Sequence, residues 1–270
     1  MAVNRLDLRA RLVGFLFFLP ILLPVLAGYP FVVFGTGLAA LWVIYEACTL
    51  LGAGVSLARK RIAMLAFMAI FFLPVLYQNM GISAIVTALM VGLFFAIGVT
   101  LLRARERVFI LLLATTIFSL CYVSIYTEGV VVLLFLAVVI SASDIGAYFS
   151  GTVIGGPKLA PAFSPSKTWA GSIGGVVSSL LAAEGFVIIL FDQHLDVRLG
   201  GIVLLLAILS QIGDLYESAM KRRLGIKDSG QIVPGHGGAL DRFDGYMTTL
   251  PVIAAALALD IAIIGKLPPL

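Results

Sequence analysis

Nine apolar segments dominate the chain, at 12–27, 29–52, 61–77, 81–101, 107–126, 129–150, 168–191, 199–220 and 246–265. Most reach or approach the roughly 20 residues that a helix needs to cross hydrocarbon. The cations fall on alternate connections. Arg5, Arg9 and Arg11 precede the first segment, and Arg59, Lys60 and Arg61 join the second to the third. Arg103, Arg105 and Arg107 join the fourth to the fifth, and Lys158 and Lys167 the sixth to the seventh. Lys221, Arg222, Arg223, Lys227 and Arg242 join the eighth to the ninth. The other connections hold only Arg198, and the C-terminal end only Lys266. Positive connections stay cytoplasmic. The expected fold is an all-α polytopic membrane protein of about nine helices, N-terminus cytoplasmic and C-terminus on the outer side.

Composition excludes the soluble alternative. The chain is 61% hydrophobic and 12% charged, with a mean hydropathy of +1.13. That little polar surface cannot cover that much apolar side chain in water. The first segment, after its three arginines, also resembles the apolar region of a signal peptide. The lack of an A-x-A-like cleavage site and the prompt return of apolar sequence argue against that. Cys48 and Cys121 lie in apolar runs and read as small core residues.

The first five segments are nearly free of acids, Glu46 and Glu106 being the exceptions. The expected division is a scaffold over 1–128, which also offers a dimer surface, and a catalytic part over 129–270. Three stretches of that second part face one side of the membrane. SASDIGAYFSGTVIGG (141–156) places Asp144 near the end of an apolar helix, where a carboxylate needs a cation or hydrogen-bond donors. PKLAPAFSPSKTWAGSIGG (157–175) offers Lys158, Lys167 and the hydroxyls of Ser164, Ser166 and Thr168. Ser166 or Thr168 can cap the next helix, and such an N-terminus beside a lysine suits an anion; an ordinary cap with a topogenic lysine is the plainer reading.

The third stretch runs from Gly213 to Gly245. Asp214, Glu217 and Ser218 share a helix face, and Glu217 reaches Lys221 four residues on. Asp241 and Asp244 are three apart and lead into the last segment. Hard oxygen ligands of this kind suit Mg²⁺ with phosphates, and helix-end ion pairs are the alternative. Between these acids, Gly235, Gly237 and Gly238 flank His236 in a turn whose exposed N–H groups can meet phosphate. His236 reads as a general acid or base, a phosphate donor or a turn residue. His194, on an outer connection, reads as inert.

The stretch SAMKRRLGIKDSGQIVPGHGGALDRFD, Ser218 to Asp244, resembles the pattern S-x-x-K-R-x4-K-D-x-G-x3-P-G-H-G-G-x-x-D-R-x-D of the phosphatidate cytidylyltransferases, without a gap. DIGAYFSG and SPSKTWAGSIGG resemble two further blocks of that family. The resemblance is specific over 144–245. Ala170 and Thr152 stand where many members carry an acid and a basic residue.

The resemblance implies the reaction CTP + phosphatidate → CDP-diacylglycerol + pyrophosphate, in phospholipid biosynthesis. It implies Mg²⁺ held by Asp214, Glu217, Asp241 and Asp244, with room for a second cation such as K⁺. It implies catalytic roles for Asp214, Lys221, Lys227, Asp228, His236, Asp241 and Asp244. Substrate contacts would come from Asp144, Ser166, Lys167, Ser218, Arg222, Gly237, Gly238 and Arg242. The expected setting is the inner (plasma) membrane of a bacterium, as a homodimer with the site on the cytoplasmic side and no nucleic-acid partner.

Three other readings compete. A CTP-dependent polyprenol kinase, or a CDP-activating enzyme for another lipid, would share the chemistry. A transporter would explain Glu46, Glu184 and Asp260, but its polar groups should gather near the midplane. A non-catalytic binder of anionic lipid gives no reason for the acid pairs.

Overall fold

A computed structural model describes residues 19–52, 54–80, 84–102, 106–126, 128–230 and 238–259. Each of the nine apolar segments holds a helix. The helices are α1 (Leu19–Leu26), α2 (Phe31–Leu51), α3 (Leu57–Met80), α4 (Ala84–Leu102) and α5 (Arg107–Ser124). They continue with α6 (Gly129–Val153), α7 (Trp169–Phe191), α8 (Val197–Arg223), the short α9 (Leu240–Phe243) and α10 (Tyr246–Ala258). Six of the described helices, α2, α3 and α5–α8, are long and apolar enough to cross a membrane. Those at the first, fourth and last segments are shorter or less fully described. The chain is thus a mainly helical, polytopic membrane protein. One small element adds to the all-α expectation: β1 (Lys158–Ala160) and β2 (Ser164–Thr168) pair antiparallel between α6 and α7.

The chain forms two compact units. The first comprises Met1–Tyr126 with Gly225–Phe243, and the second Thr127–Leu224 with Asp244–Leu270. Within the first, small residues let helices meet. A Cβ on Gly35 of α2 would lie 3.1 Å from the Val25 side chain of α1. Ser124 of α5 donates to Thr36 of α2 at 3.0 Å, so a hydroxyl pair joins two apolar helices. Cys48 and Cys121 are free and buried, as their surroundings predict.

Within the second unit, α6 and α7 form the most extensive helix pair. Their seam is built of glycine and serine. Gly146 of α6 faces Ser178 of α7, and Gly174 of α7 faces Ser150 of α6. A Cβ on Gly171 would meet the Ala147 carbonyl at 2.8 Å, and one on Gly175 the Ser143 carbonyl at 2.8 Å. Ser179 donates to the Val139 carbonyl at 2.9 Å. Lipid offers little hydrophobic drive for helices to associate, so close packing over small residues and interhelical hydrogen bonds hold such a pair. Gln211 of α8 joins the seam, donating to the Ser172 carbonyl at 3.0 Å and accepting from the Ser172 hydroxyl. Thr248 of α10 donates to the Leu209 carbonyl of α8 at 2.6 Å.

At the turn between α7 and α8, Glu184 receives the Leu195 amide at 2.8 Å and lies 2.7 Å from His194 Nδ1. This local staple accounts for Glu184 and gives His194 a structural task. Asp260 lies outside the described residues.

Candidate active site

The β-hairpin brings Ser166 and Lys167 to the start of α7. Thr168 is the N-cap, in extended conformation, and its side chain accepts from the Gly171 amide at 3.1 Å. Of the two capping candidates it is therefore Thr168 that caps, and Ser166 is free to face the cavity beside it. That cavity, about 340 Å³, belongs to the second unit. It is lined by Asp144 and Thr152 of α6, Ser166 and Lys167 of β2, and Gln211 and Asp214 of α8. One residue group from each of the three charged stretches thus meets in one space.

Lys167 and Asp214 form an ion pair in this cavity, with both side chains partly exposed. Ser218 donates to the other oxygen of Asp214 at 3.4 Å, on the helix face that the four-residue spacing predicts. Glu217 is fully buried and pairs with Lys221 at 2.6 Å, again at four residues. Arg222 reaches the Phe163 carbonyl at 3.4 Å, tying α8 to the hairpin connection.

Asp244 lies just before α10 and accepts the Gly245 amide at 2.6 Å. Burial, then the charges of Asp214, Glu217 and Asp144, push its carboxyl up from 3.8 to about 8. The acids of the second unit therefore crowd one another enough to keep a proton near neutrality. Hard carboxylate oxygens with excess negative charge have the chemistry of a Mg²⁺ site. Among the described residues, no ready-formed group of three or more His, Cys, Asp or Glu side chains surrounds a metal position. Lys167 and Lys221 neutralise two of the acids instead.

The remaining predicted residues lie in the first unit. Lys227 and Asp228 are exposed. Asp241 accepts the Ser229 amide at 3.1 Å and the Gly238 amide at 2.9 Å, closing the loop on itself. Gly238 is buried; a Cβ there would lie 2.6 Å from Glu46 and 2.7 Å from the Gly230 nitrogen. Arg242 is exposed on α9. His236 and Gly237 lie outside the described residues. Two residues escaped the sequence reading as site candidates. Gln211 carried only the signal of an amide in an apolar helix. Glu46 stood alone in its helix, with no motif around it.

The fold and this end of it define a class: polytopic membrane proteins that gather acids, a lysine and a capped helix end around one cavity. Comparison with known proteins narrows it. Residues 9–260 match the cytidylyltransferase family, and the chain belongs to that family. It is 49% identical over 134 residues to the phosphatidate cytidylyltransferase of Brucella suis biovar 1 (strain 1330), covering 48% of this chain and 46% of that protein. It is 42% identical over 128 residues to the phosphatidate cytidylyltransferase of Staphylococcus aureus (strain COL), covering 47% and 49%. The matched stretch spans about half the length of these relatives. These bacterial relatives, with the six apolar helices, suggest a bacterial membrane protein.

Proposed function

We propose that this protein makes CDP-diacylglycerol and pyrophosphate from CTP and phosphatidate. The observation that carries the reading is the convergence of Asp144, Ser166, Lys167 and Asp214 on one cavity. The relatives' activity and the unbroken motif from Ser218 to Asp244 supply the substrates. In the reaction a phosphatidate oxygen bonds to the α-phosphorus of CTP. The bond from that phosphorus to the bridging oxygen breaks, and pyrophosphate leaves. Such a transfer needs positioning and charge neutralisation more than covalent help.

Phosphatidate brings its own anionic nucleophile, so no strong base is required and His236 has at most a supporting hydrogen bond to give. Lys167, beside the positive end of α7, suits a phosphate. When substrate arrives, Lys167 transfers its charge from Asp214 to that phosphate. Asp214 and Asp244 are then free to hold Mg²⁺, which would offset charge on the polyphosphate. Asp241 is assigned to the same task by the motif, and a second cation such as K⁺ is compatible with so many acids. Glu217 fixes Lys221, and Ser218 fixes Asp214. Lys221, Arg222, Lys227 and Arg242 neutralise phosphates and Gly237 and Gly238 contact substrate by the same resemblance, which also gives Asp228 a catalytic role. Beside the cavity, α6 exposes Ile145, Tyr148 and Phe149, and α7 exposes Trp169 and Ile173. A cavity lined by Asp144, Lys167 and Asp214, beside helices that expose apolar side chains, suits a substrate with a charged head and acyl tails.

The proposed setting is nine spans in the bacterial inner membrane, as a homodimer, with this site cytoplasmic. The test is turnover in liposomes with CTP labelled in the cytosine, phosphatidate and Mg²⁺. Label in the chloroform-soluble product together with pyrophosphate supports the reading. Transfer of the γ-phosphate to a lipid alcohol would replace it with a kinase, and neither signal from folded protein would overturn it.

A further inference from the structure

We propose that Glu46 is a positioning residue for the phosphate-handling loop; this rests on the functional reading above. Glu46 sits near the end of α2, 3% exposed, in the part of the chain expected to be plain scaffold. A buried carboxylate in an apolar helix is costly unless donors surround it. Its donors among the described residues come from the far end of the sequence. Oε2 accepts the Leu240 amide at 3.0 Å and the Ser229 hydroxyl at 3.2 Å. Oε1 is buried and accepts no hydrogen bond from the described residues. A Cβ on Gly230 would lie 2.5 Å from Oε1, so backbone packs directly on the carboxylate.

The two donors bracket the loop. Ser229 stands just after Lys227 and Asp228, and Leu240 just before Asp241. Asp241 in turn receives the Ser229 and Gly238 amides. Two carboxylates therefore share Ser229: Glu46 takes its hydroxyl and Asp241 its amide. Glu46 touches the loop's two ends and sets the position from which Asp241 and Lys227 act. All of these contacts lie within the first compact unit. Glu46 acts through the loop.

The test uses the full chain in detergent, with Glu46→Ala and Ser229→Ala beside the wild type. Backbone amide exchange is read without Mg²⁺ or CTP, and turnover is read against Mg²⁺ concentration. Glu46→Ala should speed exchange at Ser229 and Leu240 while α6–α8 keep wild-type protection. It should lower kcat about 10–100-fold, the usual size for residues that orient a ligand-holding group, and raise half-saturating Mg²⁺. Ser229→Ala should move both in the same direction by less. Partial unfolding alone would lower the maximum rate and leave half-saturation unchanged, and that outcome overturns the proposal. So does wild-type exchange at Ser229 and Leu240. If Glu46→Ala does not fold, Ser229→Ala decides by the same two readouts. If the wild type makes no CDP-diacylglycerol, the functional reading falls and the exchange data alone decide on Glu46.

Discussion

Asp244 is the residue whose environment speaks most directly. Its carboxyl titrates near 8 because burial and three neighbouring acids oppose its charge. Asp244→Asn should abolish turnover while leaving insertion and folding nearly intact, measured by the liposome assay and by thermal unfolding. Full activity of that variant at ordinary Mg²⁺ would remove Asp244 from the metal assignment. The sign of the pH effect follows from the same shift. A carboxyl raised from 3.8 to about 8 binds a proton in the folded state that the unfolded state has already lost between those values. Metal-free protein should therefore lose stability as pH rises from about 4 to about 8, and Asp244→Asn should flatten that slope. Added Mg²⁺ should do likewise at the upper end. The short-range pairs here were legible: Asp214 with Ser218 and Glu217 with Lys221 follow from four-residue spacing. Lys167 with Asp214 was not, because 47 residues separate them and only the tertiary fold joins them.

Among elements, the helices declared themselves and the hairpin did not. A run of some 20 apolar residues has few alternatives to a membrane helix. Strands of three and five residues, the second polar and holding Pro165, carry no alternation to read. Yet that hairpin delivers Lys167, and the cap at its end fixes the start of α7. Thr168→Ala should lower stability by about 1 kcal/mol, as loss of an N-cap does, measured by thermal unfolding in detergent. It should also weaken CTP binding, since the capped turn borders the cavity. The α6–α7 seam is less forgiving. Gly174→Val would place methyl groups against Ser150. Overpacking of this kind costs about 1–3 kcal/mol and should appear as a lower unfolding temperature with loss of activity.

At the scale of the whole molecule, the alternation of cations along the sequence gives a topology that chemistry can test. A cysteine placed by Lys158→Cys should react with an impermeant maleimide only after the membrane is opened. One placed by Gln193→Cys, on the α7–α8 turn, should react in intact cells. The reverse pattern would invert the orientation. Lys60→Ala, in a connection that only sets topology, should leave turnover close to wild type in the liposome assay. The grouping of Gly225–Phe243 with the first unit has a consequence for how the chain is made. Glu46 leaves the ribosome early, and its partner Leu240 follows 194 residues later. Until then that buried carboxylate lacks the amide that will finally hold it. The first unit is thus threaded early and completed late, and a chain stopped at residue 224 would be missing its closing piece.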